Sequence, residues 1–386
     1  PDGDDAVLAD IRGTIAGLEL GLAALAHDGD ASTQAAAARA RASLDQLDPS
    51  DEAAGLTGRA ERVRTTGELG VALRALAAAR GIAVRIPYRA RYPLAQNGIA
   101  EPIHAFTLPA PRSDLRSGDA DAMVALGRTL FFERALSPGA HRSCADCHRP
   151  DRAYADGLAT PPSLDPHSAV TRNTPSLWYT SMNASQLWDG RFASAERQAL
   201  RVLHSKAEMG LSEAELEAAL AAHAEAFAAA FGGEAPSEAL AARALVAFEI
   251  DALAPGQAPI DRYARGEAEL RPALARGFDL FAGKGRCARC HVPPTFAGSR
   301  PRDFAVPVFA ALGVPAAMPA TQAAPAQLDP DPGRGAITKL PLDAHAFKTP
   351  GLRNVHASAP YFHNGSYPQL EDVLGFYNDG GVAGVA

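Results

Sequence analysis

The chain has 386 residues, 47% of them hydrophobic, enough for two or three domains with buried cores and too apolar for a disordered chain. Its net charge of −7 argues against nucleic acid and anionic membrane surfaces as partners, and leaves room for a small cationic protein. No stretch approaches the roughly 18 uncharged apolar residues of a membrane span.

The chain opens PDGDD, with no basic or apolar leader, and reads as a mature form whose export signal has been removed or as a cytosolic protein. Residues 1–90 read as Ala-rich helices. Leu8, Ile11, Ile15, Leu18, Leu22 and Leu25 recur near helical spacing, and Asp28-Gly29-Asp30 breaks the run. Ser32 can cap a second helix to about Leu47, and a third runs from about Asp51 to Arg80. This stretch holds no cysteine, and residues 1–118 are expected to be a helical packing or docking extension with a Pro-rich linker.

A helix is expected over Ala120–Glu133, leading to a first cysteine motif. Residues 150–185, rich in Pro, Ser, Thr and Asn, read as a long ordered loop. Helices follow at about Ala195–Leu203, Ser212–Phe231 and Ser237–Leu253, then a linker at Ala254–Pro259. A helix at about Glu267–Phe281 leads to a second cysteine motif, as if the first unit were repeated, and residues 293–342 again read as loop. Few segments alternate with period two. The expected fold is mainly α, with two cytochrome c-like domains at 119–265 and 266–386 and long ordered loops.

The four cysteines fall in two pairs, Cys144/Cys147 and Cys287/Cys290, each followed at once by His148 or His291. C-x-x-C-H is the attachment signature of c-type haem. Two thiols one short turn apart can each add to a vinyl group of one porphyrin, and the next residue brings its imidazole under the iron. Disulfides, a thioredoxin-like pair, or a zinc site drawing on the pairs and histidines are the alternatives. None explains why each pair ends directly in histidine. Haem c is attached outside the bacterial cytoplasm, so the expected location is the periplasm.

Three longer motifs surround these sites: RNTPSL (Arg172–Leu177), LWDGR (Leu187–Arg191) with Gln198 and Glu208-Met209 downstream, and FKTPGLRN…PYFHNG…LEDVLGFY (Phe347–Tyr377). With them, residues 119–380 resemble the bacterial di-haem cytochrome c peroxidase and MauG superfamily. Relatives usually continue into a closing C-terminal helix. This sequence stops at Gly384-Val385-Ala386, so a tail is expected to be missing from it.

The resemblance implies roles. Glu208 matches the distal glutamate that moves protons on bound peroxide, and Gln198 the glutamine that orients it. Trp188 matches the tryptophan between the two haems. His167 lies in the loop that carries a removable haem ligand in some relatives, but its spacing from RNTP is shorter, and an exposed loop histidine is the favoured reading. Tyr377 matches the sixth ligand of the second haem, where conventional peroxidases place Met and MauG-like members Tyr; Met318 is the last methionine here. Asn173, Ser358 and Pro360 match the positions that hold a calcium ion. His363 is expected to stand near the relay.

The favoured function is MauG-like: hydrogen peroxide oxidises the haems to high-valent iron, and the oxidising equivalents are spent on Trp or Tyr of a partner protein. The alternatives are a conventional peroxidase, supplied with electrons by a small redox protein, and a non-enzymatic electron carrier. Glu208 and Gln198 would have no use in a carrier.

Overall fold

The computed structural model describes residues 119–179, 183–253, 258–264, 268–292, 296–298, 306–319 and 326–381, with isolated helical positions between 31 and 42. Apart from those positions, the helices and linker expected in residues 1–118 lie outside the described residues. The chain divides into two compact units. One comprises Ala110–Pro255 with Cys290–Ala386, the other Pro1–Pro109 with Gly256–Arg289. The described fold is mainly helical, and no helix among the described residues is long and apolar enough to cross a membrane.

In the first unit, α1 (Ala120–Phe132) starts at Asp119, whose carboxylate accepts from the N–H groups of Asp121 and Ala122. The short turn α2 (Cys144–Cys147) carries the first cysteine pair. Three serines then cap helices from their own sequence: Ser194 opens α3 (Ala195–Leu203), Ser212 opens α4 (Glu213–Ala221) and Ser237 opens α6 (Glu238–Ala252). Ser212 and Glu215 form a reciprocal capping box.

The single helix expected over Ser212–Phe231 is two, α4 and α5 (Ala224–Ala230), parted at His223. Leu216, Leu220, Phe227 and Ala230 are all buried, so both pieces serve one apolar stripe. Periodicity could not show the break because the stripe keeps its phase across it.

The core of this unit joins Met123, Leu126, Leu130 and Phe131 of α1 to Leu245 and Phe248 of α6, with Leu203, Leu216, Leu220 and Phe227 around them. Gly127 makes that contact possible, since a Cβ there would lie 1.8 Å from the Ala244 carbonyl oxygen. Farther along the chain, β1 (Phe309–Ala311) pairs antiparallel with β2 (Ala346–Lys348), in the register Phe309 to Lys348. Three residues are too few for an alternating pattern to register in the sequence. The short helix α9 (Gly335–Thr338) precedes β2, and α10 (Leu370–Asp379) ends the described chain.

In the other unit, α7 (Pro259–Ala264) forms just past the expected linker, and α8 (Pro272–Ala282) precedes the 3-10 turn Cys287–Arg289. α8 starts later than the expected Glu267, because Pro272 fixes the first helical position and holds Arg271 extended.

Candidate active site

Each C-x-x-C-H motif is a helical turn followed by a tight reversal. After the first, Arg149 and Ala155 form an isolated antiparallel bridge; after the second, Val292 and Ala297 do. The reversals require left-handed backbone at Tyr154 (φ 56) and Phe296 (φ 54). They thereby aim two carbonyls at the histidines. His148 Nδ1 lies 3.0 Å from the Tyr154 oxygen, and His291 Nδ1 lies 3.0 Å from the oxygens of both Phe296 and Pro350. The Pro175 backbone also faces His148, where it works against the effect of burial on the ring's pKa.

With Nδ1 donating to a carbonyl, the lone pair of each ring sits on Nε2, the tautomer a metal ligand needs. Burial lowers both pKa values, which favours the neutral ring over the charged one. None of the four thiols is in a disulfide, and all are partly exposed. Among the described residues no group of three or more His, Cys, Asp or Glu is placed to hold a metal ion. Two thiols on one turn, followed by an imidazole whose Nδ1 bonds a carbonyl and leaves Nε2 open, fit an attached haem.

A second pair of matching loops carries Trp188 and His363. Leu187-Trp188-Asp189-Gly190 and Phe362-His363-Asn364-Gly365 turn alike. Leu187 and Phe362 have φ of 64 and 67, Gly190 and Gly365 of 64 and 62. Gln186 bridges Phe192, and Tyr361 bridges Tyr367. The two TP-x-L segments, Thr174–Leu177 and Thr349–Leu352, complete the repeat, since Pro175 and Pro350 serve His148 and His291 in turn.

The two halves exchange bonds. Asn173 N–H donates to the His363 carbonyl at 2.6 Å, and Lys348 N–H to the Trp188 carbonyl at 2.7 Å. The indole Nε1–H of Trp188 donates to the Asn173 carbonyl at 2.9 Å. His363 meets Trp188 edge-on, 6.5 Å between ring centres, and stacks on Phe347 at 3.6 Å. Its Nε2 lies 3.3 Å from Asp329 Oδ1 but is angled away from a hydrogen bond. Burial lowers the His363 pKa, against the pull of Asp329.

An ion network braces this junction. Asp189, fully buried, takes Arg172 Nη1 at 2.5 Å and also the Arg191 guanidinium. Arg172 grips Asp331 with Nε and Nη2 at 2.7 and 2.9 Å. Burial works against the charge on Asp189 and Asp331, but the arginines win and hold both carboxyls below the ordinary range.

Glu208 lies in the turn after α3, which folds back through Leu211 N–H to the Leu203 carbonyl at 3.0 Å. Burial raises its pKa, while Ser205 and three arginines pull the other way. Its charge reaches Cys147, where, after burial and among neighbouring acids, it helps raise the thiol pKa. Glu208 thus stands within electrostatic reach of the first cysteine motif. Gln198 is half-buried on α3.

Tyr377 is 48% exposed on α10, and Leu374, one turn earlier on the same face, 60%. The Tyr377 ring lies 6.4 Å from that of Phe362, next to His363. Of the residues expected to hold calcium, Asn173 is buried and donates from Nδ2 to the Leu158 carbonyl at 2.8 Å. Ser358 and Pro360 precede the His363 loop, to which Asn173 is bonded. His167 is exposed, with its N–H on Asp165 Oδ1.

Residues 121–269 match the family model described as di-haem cytochrome c peroxidase, and residues 346–376 match one described as RoxA-like, cytochrome c-like. The methylamine utilization protein MauG of Methylorubrum extorquens is 34% identical over 264 residues, covering 67% of this chain and 69% of that protein. The chain belongs to the di-haem cytochrome c peroxidase and MauG family. Cytochrome-c peroxidase IdrP2 of Denitromonas iodatirespirans is 30% identical, covering 70% of this chain and 77% of its own. A solved MauG-like protein associated with microbial copper homeostasis has a TM-score of 0.60 at 31% identity, covering 70% of this chain and 80% of that one. As a family member, the chain is a haem-dependent oxidoreductase of the peroxidase type.

Within the family frame, the sequence reading missed the residues that serve through backbone or charge. These are the carbonyls of Tyr154, Phe296, Pro175 and Pro350, the Asp189 network, and Lys348. The repeated TP-x-L and the paired W-D-G and H-N-G were the available signals.

Proposed function

We propose that this family member is MauG-like: it reacts with hydrogen peroxide at the site of Cys144, Cys147 and His148, and draws the electrons, by way of Trp188 and a second haem site at Cys287, Cys290 and His291, from Trp or Tyr of a partner protein. The haems, when bound, supply the redox chemistry. The observation that carries this reading is the path of backbone and hydrogen-bond steps through Trp188. It runs from His148 to the Pro175 backbone, along the chain to the Asn173 carbonyl, and into the indole. From the Trp188 carbonyl it passes to Lys348 N–H, then along the chain to Pro350 and His291.

The other side chains have separable tasks. Glu208, partly desolvated, holds a proton or accepts one at its carboxyl oxygens near the first site. Gln198 orients the oxidant with its amide. Tyr377, on an exposed apolar face with Leu374 and beside Phe362, is the candidate sixth ligand at the second site. Asn173, Ser358 and Pro360 are the candidate calcium ligands, all oxygen donors as a hard cation requires. On this reading each site is the centre of a functional domain, 119–265 and 266–386, which differ from the two compact units of the fold, and covalent haem implies a periplasmic protein.

The test is to mix peroxide with the fully oxidised protein and with protein carrying one added electron. The MauG-like reading expects the fully oxidised form to react at once. A reaction seen only after the added electron would instead mark a conventional cytochrome c peroxidase, and no reaction in either state an electron carrier.

A further inference from the structure

Lys348 is an anomaly in the junction. It is only 9% exposed, and its ammonium has neither a carboxylate nor a hydrogen-bond partner among the described residues. Burial alone pushes its pKa down to about 8. A buried cation without a counter-charge is costly, and proteins keep one where something else supplies the charge.

The internal repeat sharpens the anomaly. Lys348 stands before Thr349-Pro350 as Asn173 stands before Thr174-Pro175. The Asn173 side chain is satisfied by the Leu158 carbonyl. Lys348 differs from its counterpart only in the side chain, because both N–H groups make the matching exchange bond. Two residues on, the Pro350 carbonyl holds His291. The lysine is thus fixed on the strand that positions the candidate axial ligand of the second site.

We propose that the Lys348 ammonium is the counter-charge to a propionate carboxylate of the haem carried by Cys287 and Cys290, and that it raises that haem's reduction potential. The inference rests on the two-haem reading above. Each haem brings two carboxylates, the chemical group that Lys348 lacks. A cation held against one of them offsets the negative charge that would otherwise favour ferric iron.

The experiment uses the holoprotein with both haems attached, checked by intact mass, and compares wild type with Lys348→Met and Lys348→Arg. The readouts are each haem's midpoint potential by spectroelectrochemistry and the propionate bending modes by resonance Raman. Lys348→Met is expected to lower the potential of the second haem, leave that of the first in place and shift a propionate mode; Lys348→Arg should restore most of both. Lys348→Gln replaces Lys348→Met if the latter is not recovered folded. Unchanged potentials and modes would overturn the proposal, as would a shift confined to the first haem. Wild type lacking mass for haem on Cys287 and Cys290 would overturn the two-haem reading beneath it.

Discussion

Trp188 donates its indole N–H to the carbonyl of Asn173, the residue whose own N–H is bonded to His363. One bond thus ties the candidate relay to both halves of the repeat. The acceptor is a carbonyl and not a carboxylate, so nothing at that nitrogen takes the indole proton. Trp188→Phe removes the donor and leaves the Asn173 carbonyl without it, a loss of about 1–3 kcal/mol. The expected outcome is slower electron transfer between the sites in stopped-flow traces, with the initial peroxide reaction retained. Equal inter-site rates in the variant would remove Trp188 from the path.

Glu208 gives a pH dependence with a definite sign. Burial raises its pKa, so its base form is lost as pH falls through a value above the ordinary glutamate range of about 4.3. The rate of peroxide reaction should fall on that acid limb. Glu208→Gln should lower the rate by about 10²- to 10⁴-fold and abolish the limb. Retention of the same limb in the variant would assign it to another group.

The Arg172–Asp189–Asp331 network sets acid stability. The carboxyl pKa values of Asp189 and Asp331 are depressed in the folded state. Their stabilisation is complete above the unfolded carboxyl range, near pH about 4, and is lost as pH falls through the lower folded values. Asp189→Asn should reduce stability by about 3–5 kcal/mol at neutral pH, because it leaves buried guanidinium charge uncompensated, and should flatten the acid limb of a melting-temperature profile. A profile parallel to wild type would contradict this.

Gly127 sets the distance between α1 and α6. Its place is taken by the Ala244 carbonyl, so Gly127→Val must push the helices apart, at a cost of about 1–3 kcal/mol or more. Thermal denaturation should show a lower midpoint. An unchanged midpoint would mean that the two helices separate without penalty.

Much of this was legible in the residues. The serine caps, the helix over Ala195–Leu203 and the turns of both C-x-x-C-H motifs are local signals, and local chemistry fixes them. The break at His223 was not legible, because the buried stripe runs through it unshifted. The late start of α8 was written in Pro272, but the apolar spacing upstream hid it. The histidine-orienting carbonyls were invisible for another reason. A carbonyl belongs to every residue, and only the positive φ at Tyr154 and Phe296 turns those two toward the rings. Lys348 gave no sign of burial, since a lysine inside β2 reads as an ordinary solvated cation until packing closes over it.

The most informative measurement is a titration of the fully oxidised protein with hydrogen peroxide, followed by visible and near-infrared absorption in wild type and in Trp188→Phe. The expected result is a long-lived product with a near-infrared charge-resonance band in wild type, formed without prior reduction, and loss of that band in the variant. A wild-type spectrum that stays unchanged until an electron is added would contradict the MauG-like reading, and a band of equal strength in Trp188→Phe would contradict the path through Trp188.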